Sequence, residues 1–92
     1  MEVPRQIMAA AHAALDLTSR AGEQCKKHLV SDLLVVVEFL GAALEGAYHI
    51  ARANLPLLKD LEAREDWTRM LAQSARQGRT AWDKTKEALA AR

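Results

Sequence analysis

Cys25 and His28 stand three residues apart in the run Cys25-Lys26-Lys27-His28, where a thiol and an imidazole share metal-ligand spacing. On a continuing helix Asp32 would join that face, and side chains three and four apart can hold one ion. A single cysteine excludes a disulfide within the chain and any multi-cysteine zinc site. The simpler reading makes Cys25 a small buried hydrophobe. It lies in line with Ile7, Ala14 and Ala21, in a row that also holds Ala11 and Thr18. That row is expected to be the inner stripe of the first helix.

The other candidates are sparser. Glu45 and His49 are four apart, whereas a di-iron bundle uses Glu-x-x-His, three apart and repeated on a second helix. A solvent-facing pair is the better reading, and His12 has no evident partner. There is no glycine-rich phosphate loop, nucleophile elbow or His-Glu-x-x-His run. Ser19, Ser31 and Ser74 all fall in helical or capping contexts, and no cofactor is implied. Residues 67–92 carry six basic and two acidic side chains, so Arg69, Arg76 and Arg79 could meet phosphates. Trp67 and Trp82 are the only rings nearby, and the chain's net charge is just +1. Both facts argue against nucleic acid and for a solvated helix end that complements its dipole.

The elements that must position these residues are helical. Of 46 apolar residues, 18 are Ala and 13 Leu, against five Val and two Ile. An Ala-rich interior buries little area, so a core of this size is thin and favours a partner. Helices are expected at about 4–27, 31–53, 56–77 and 80–91. Ser31 is the expected N-cap of the second, with Asp32 in its first turn. Asn54-Leu55-Pro56 breaks that helix and Pro56 opens the third. Gly78 is the expected stop, and Thr80 with Asp83 forms a capping box for the fourth. Acid-first pairs at four-residue spacing are expected at Asp16–Arg20, Glu23–Lys27, Asp60–Arg64 and Glu65–Arg69.

The second helix carries two apolar stripes. Leu29, Val30, Leu33, Val37, Leu40, Leu44, Ala47, Tyr48 and Ala51 form one. Val35, Phe39, Ala42, Gly46 and Ile50 form another beside it, while Ser31, Glu38, Glu45, His49 and Arg52 gather opposite. One stripe suffices for a surface helix, so the second implies a central helix or an interface. Small residues at Ala10, Ala14, Ala42, Ala43, Gly46, Ala47 and Ala51 permit close antiparallel packing of the first two helices.

The stretch 67–90 is similar in spacing to a tetratricopeptide repeat, with Trp67, Gly78 and Ala90 at matching offsets. Asp83 and Glu87 replace that family's small and aromatic residues, and no second copy precedes it. A single repeat forms no core, so that family is not adopted.

Residues 1–17 include Glu2 and Asp16 and lack a continuous apolar block, unlike a signal peptide. The most apolar window, 29–47, holds Asp32, Glu38 and Glu45, which a bilayer would not accommodate cheaply. The expected setting is cytoplasmic and reducing. The expectation is therefore a single all-α domain over 1–92, an antiparallel bundle of three to four helices. Its expected role is a non-catalytic protein–protein interaction module, an adaptor, regulator or complex subunit working as a homodimer or hetero-complex. The partner surface would be Val35, Phe39, Ala42, Gly46 and Ile50, with Trp67 and Met70. The alternatives are a small helical enzyme or metal-binding bundle using Cys25, His28 and His49, and a weak nucleic-acid binder using the arginines.

Overall fold

The computed structural model describes residues 1–92, all of them, as three helices without a strand. Helix α1 spans Glu2–Gln24, α2 spans Val30–Asn54 and α3 spans Leu61–Ala90. Pro4 falls in the first turn of α1, where its missing N–H costs nothing. Cys25 and Lys26 are both extended and end α1 three residues before the expected boundary. A 3₁₀ turn, Lys27–Leu29, then leads directly into α2, so Ser31 lies inside the helix and caps nothing.

A second 3₁₀ turn, Leu55–Leu57, holds Pro56, which therefore closes the link after α2 and does not open α3. The start of α3 is set by Asp60. Its carboxylate accepts from the Glu62 and Ala63 amides at 3.0 and 3.4 Å, covering donors that the first turn leaves orphaned. Arg64 ties the link down by donating to the Leu58 carbonyl at 2.6 Å and to that of Pro56 at 3.3 Å.

The expected third and fourth helices are one. Gly78 lies in the middle of α3 and is buried, because a Cβ there would stand 2.7–2.8 Å from both methyls of Leu44. The glycine serves close helix approach, not termination. Thr80 and Asp83 are consequently mid-helix and form no capping box. The tetratricopeptide resemblance also loses its turn.

Consecutive helices run antiparallel, which leaves α1 and α3 parallel. The Thr85 hydroxyl donates to the Leu15 carbonyl at 3.3 Å, and Arg92 to that of Cys25 at 2.9 Å. One core cluster joins Met8, Ala11, Leu44, Ala47, Ala51, Leu71 and Ala75. The other joins Leu15, Val37, Ala81 and Leu89, with Leu33, Leu34, Leu40 and Trp82 packed on it. The buried row of α1 is Pro4, Met8, Ala11, Leu15, Thr18 and Gly22. The expected inner stripe holds at Ala11 and Thr18 alone: Ile7 and Ala21 are exposed, and Ala14 and Cys25 are only half-buried. In α2 the expected inner stripe lines the core except for Leu29, which is exposed. Of the small residues expected to pack α1 on α2, Ala47 and Ala51 are buried, whereas Ala10, Ala42, Ala43 and Gly46 are open to solvent.

Candidate functional site

A step of one residue turns a helix by about 100°, so the neighbours of a buried residue lie on its two flanks. In α2 the step forward from buried Val37 reaches Glu38, paired with Lys86 of α3 at 3.0 Å. From buried Leu44 it reaches Glu45, which accepts from Arg79 of α3 at 2.6 and 2.9 Å. Those residues mark the α3 flank. The step back reaches Val36 and Ala43, on the flank toward α1. In α1 the step forward from buried Ala11 reaches His12, which lines a groove shared with α3. The step back reaches Ala10, on the flank toward α2.

Val3, Ile7, Ala10, Ala14, Leu17 and Ala21 follow that α1 flank without a polar residue among them. On α2 the matching flank and back carry Val35, Val36, Phe39, Ala42, Ala43, Gly46 and Ile50, with Asp32 the one carboxylate, near the end. The two helices form one apolar face turned away from α3. Phe39 is 71% exposed and Val3 65%. Of the eleven exposed large apolar side chains, seven belong to this side: Val3, Ile7, Leu17, Val35, Val36, Phe39 and Ile50. Trp67 stands apart from it, half-buried against the first core cluster. Met70, exposed on α3, precedes buried Leu71 and so lies on the α1 flank of that helix.

The outer side of α3 is charged instead. Arg69 pairs with Asp66, and Arg79 with Glu45 while lying 5.2 Å over the Tyr48 ring. Of the expected acid-first pairs, none forms: Asp16 faces His12 at 3.8 Å, Asp60 caps α3 and Lys27 has left the helix. Nor is Glu45 the partner of His49. The hydrogen bond from Arg79 holds the Glu45 carboxyl below its ordinary value, with burial opposing and the Arg79 charge assisting. A carboxylate whose folded value is depressed adds stability above its unfolded value and loses it as pH falls through the folded one. Glu45→Gln should therefore be less stable than the wild type at neutral pH, by a gap that closes on acidification. Urea titrations at stepped pH check this, and a gap that persists in acid would point to packing in place of charge.

Cys25 and His28 do not share a helix face, because the chain is extended between α1 and the 3₁₀ turn. Asp32 is likewise out of line. The Cys25 sulfur sits 3.7 Å from the Gly22 carbonyl and 3.5 Å from Arg92 Nη1. No group of three or more His, Cys, Asp or Glu is placed to hold a metal ion. No helix is long and apolar enough to cross a membrane.

An open polar groove of about 590 Å³ runs between α1 and α3, lined by His12 and Asp16 on one side and Arg76, Gln77, Thr80 and Lys84 on the other. Sequence reasoning missed it, since its walls lie some sixty residues apart. The four-residue step from His12 to Asp16 was the one local signal.

Residues 1–73 match the family model described as formiminotransferase-cyclodeaminase. No curated protein and no solved structure matches the chain.

Proposed function

The chain belongs to the formiminotransferase-cyclodeaminase family, and within it we propose, on the ground of its surface, that the chain works as a protein–protein interaction module, pairing with a second copy through the α1–α2 face. The observation that carries this reading is the concentration of exposed large apolar side chains on that one face.

Surface arithmetic supports it. A compact chain of 10.2 kDa exposes about 5,300 Å². This one exposes 6037 Å², an excess of roughly 700 Å². Its radius of gyration is 15.2 Å, against about 12 Å for a compact domain of the same length. A face as long and wide as the bundle, 51 by 16 Å, covers roughly 800 Å², the share each partner contributes to a standard interface. The face offers almost no charge by which to select a different protein. Its natural complement is a second apolar face of equal length, which a two-fold copy supplies. Ala10, Ala14, Ala43 and Gly46 leave room for helices to approach between Phe39, Ile50 and Leu17.

The double substitution Phe39→Glu with Ile50→Glu is the test. Both side chains are exposed, so the variant should keep its helical circular dichroism while sedimenting as a monomer. A wild-type protein that stays monomeric at every concentration would sink the pairing, and an unfolded variant would move these residues into a core.

The family match favours a second reading, catalysis in the assembled form. Cyclodeamination closes a ring: an internal N–H nitrogen bonds to the formimino carbon, its proton and one from solvent pass to the terminal nitrogen, and the carbon–nitrogen bond to that nitrogen breaks as ammonia leaves. Ammonia release from a formimino-substituted amine, assayed with wild type and the monomeric variant, tests whether association completes such a site.

A further inference from the structure

The groove between α1 and α3 has a chemistry that association does not use. Arg5, Arg69 and Arg79 are held by carboxylates, and Lys86 by Glu38. Arg76 and Lys84, which line the groove, pair with no carboxylate. They face one acid, Asp16, whose oxygen is directed at His12 Nε2, 3.8 Å away. Among the lining residues two cations stand against one carboxylate, a formal excess of one positive charge.

The two cations are eight residues apart, about 12 Å along the α3 axis. Side chains of their length can both reach the level of Thr80, which lies midway. Thr80 and Gln77 add a hydroxyl and an amide as neutral donors there. Ala81 is the single apolar residue among the seven that line the space. The polar heads of the other six suit a polar ligand, while their aliphatic stems supply the larger share of the groove's surface. The space, about 590 Å³, is wide open to solvent, so a ligand held there keeps much of its surface in water.

We propose that this groove binds a small ligand bearing a carboxylate or phosphate group, seated level with Thr80 between Arg76 and Lys84. His12 and Asp16 form the opposite wall, where the Asp16 carboxylate repels anions that approach along α1. The site lies on the α3 flank of α1, away from the apolar face, so it stays open in the paired form. It stands or falls independently of pairing.

The test is an amide-resolved NMR titration of the full chain with inorganic phosphate and, in parallel, with succinate, at constant ionic strength. Saturable shifts confined to residues 12–16 and 76–84 are expected with at least one probe, and the tighter probe identifies the group preferred. Arg76→Ala with Lys84→Ala should weaken binding about tenfold or more, since both charge-assisted contacts go. Asp16→Asn should strengthen it, an opposite effect that loss of folding could not mimic. The monomeric Phe39→Glu, Ile50→Glu variant should bind as the wild type does. Shifts spread evenly to Arg20 and Arg52, the absence of saturation with both probes, or unchanged affinity in the Arg76, Lys84 variant would each overturn the proposal.

Discussion

Leu44→Ala is expected to lower the unfolding free energy by about 3–4 kcal/mol, the middle of the range for buried leucines. Leu44 is fully buried and belongs to the first core cluster. Its two methyls occupy the space that Gly78 leaves open, 2.7 and 2.8 Å from where a Cβ would stand. Gly78 has no side chain to move into the void, and Ala47, Ala51 and Ala75 of the same cluster are too short to fill it. The cavity therefore persists, and its cost adds to the lost transfer energy. A chain of 92 residues has roughly 5–14 kcal/mol in all, so the variant should be near the edge of folding. Urea unfolding followed by far-ultraviolet circular dichroism measures the loss. Protein concentration must be held fixed, because pairing adds stability by mass action. A loss below about 1 kcal/mol would mean the α2–α3 contact is looser than described.

Gly41→Leu should be nearly as damaging, for the opposite reason. Gly41 is buried, and a Cβ there would stand 2.7 Å from Cζ2 and 2.8 Å from Nε1 of Trp82. A ring cannot fold aside as the tip of an aliphatic side chain can, so α2 or Trp82 must move. Overpacking of this kind costs about 1–3 kcal/mol. Gly46 in the same helix supplies the control. Nothing lies within 4 Å of the Cβ it would gain, so Gly46→Ala should raise the stability of the unpaired chain by roughly 0.5–1 kcal/mol through helix propensity. The two glycines thus respond with opposite signs. Fluorescence adds a local readout: displacement of Trp82 toward water should shift its emission to the red in the Gly41 variant, while Trp67 is untouched. Equal stabilisation at both positions would show that Trp82 does not pack on Gly41.

Much of this was legible in the residues. Ala and Leu in excess over β-branched types make the chain helical wherever it is placed. The inner stripe of α2 was readable because Val37, Leu44 and their companions are large and stand beside the charged Glu38 and Glu45. Contrast of that kind identifies a buried side. The break after Asn54 was readable because proline is a local constraint, independent of anything distant.

Other features have no local signal. In α1 the rows through Ile7 and through Met8 are both apolar, so periodicity alone could not say which faces inward. Packing against Leu44 and Leu71 decided it, and left Val3, Ile7 and Leu17 outside. Gly78 is compatible with a stop or with a close crossing, and the methyls of Leu44, thirty-four residues earlier, select the crossing. Glu45 had His49 within helical reach, yet Arg79 from α3 takes both its oxygens, because a guanidinium fork fits a carboxylate better than one ring nitrogen does. The groove of His12, Asp16, Arg76 and Lys84 exists only because α1 and α3 run parallel. Sequence determines what one helix can bury; which neighbour it meets, and at what register, is decided by the three helices packing together.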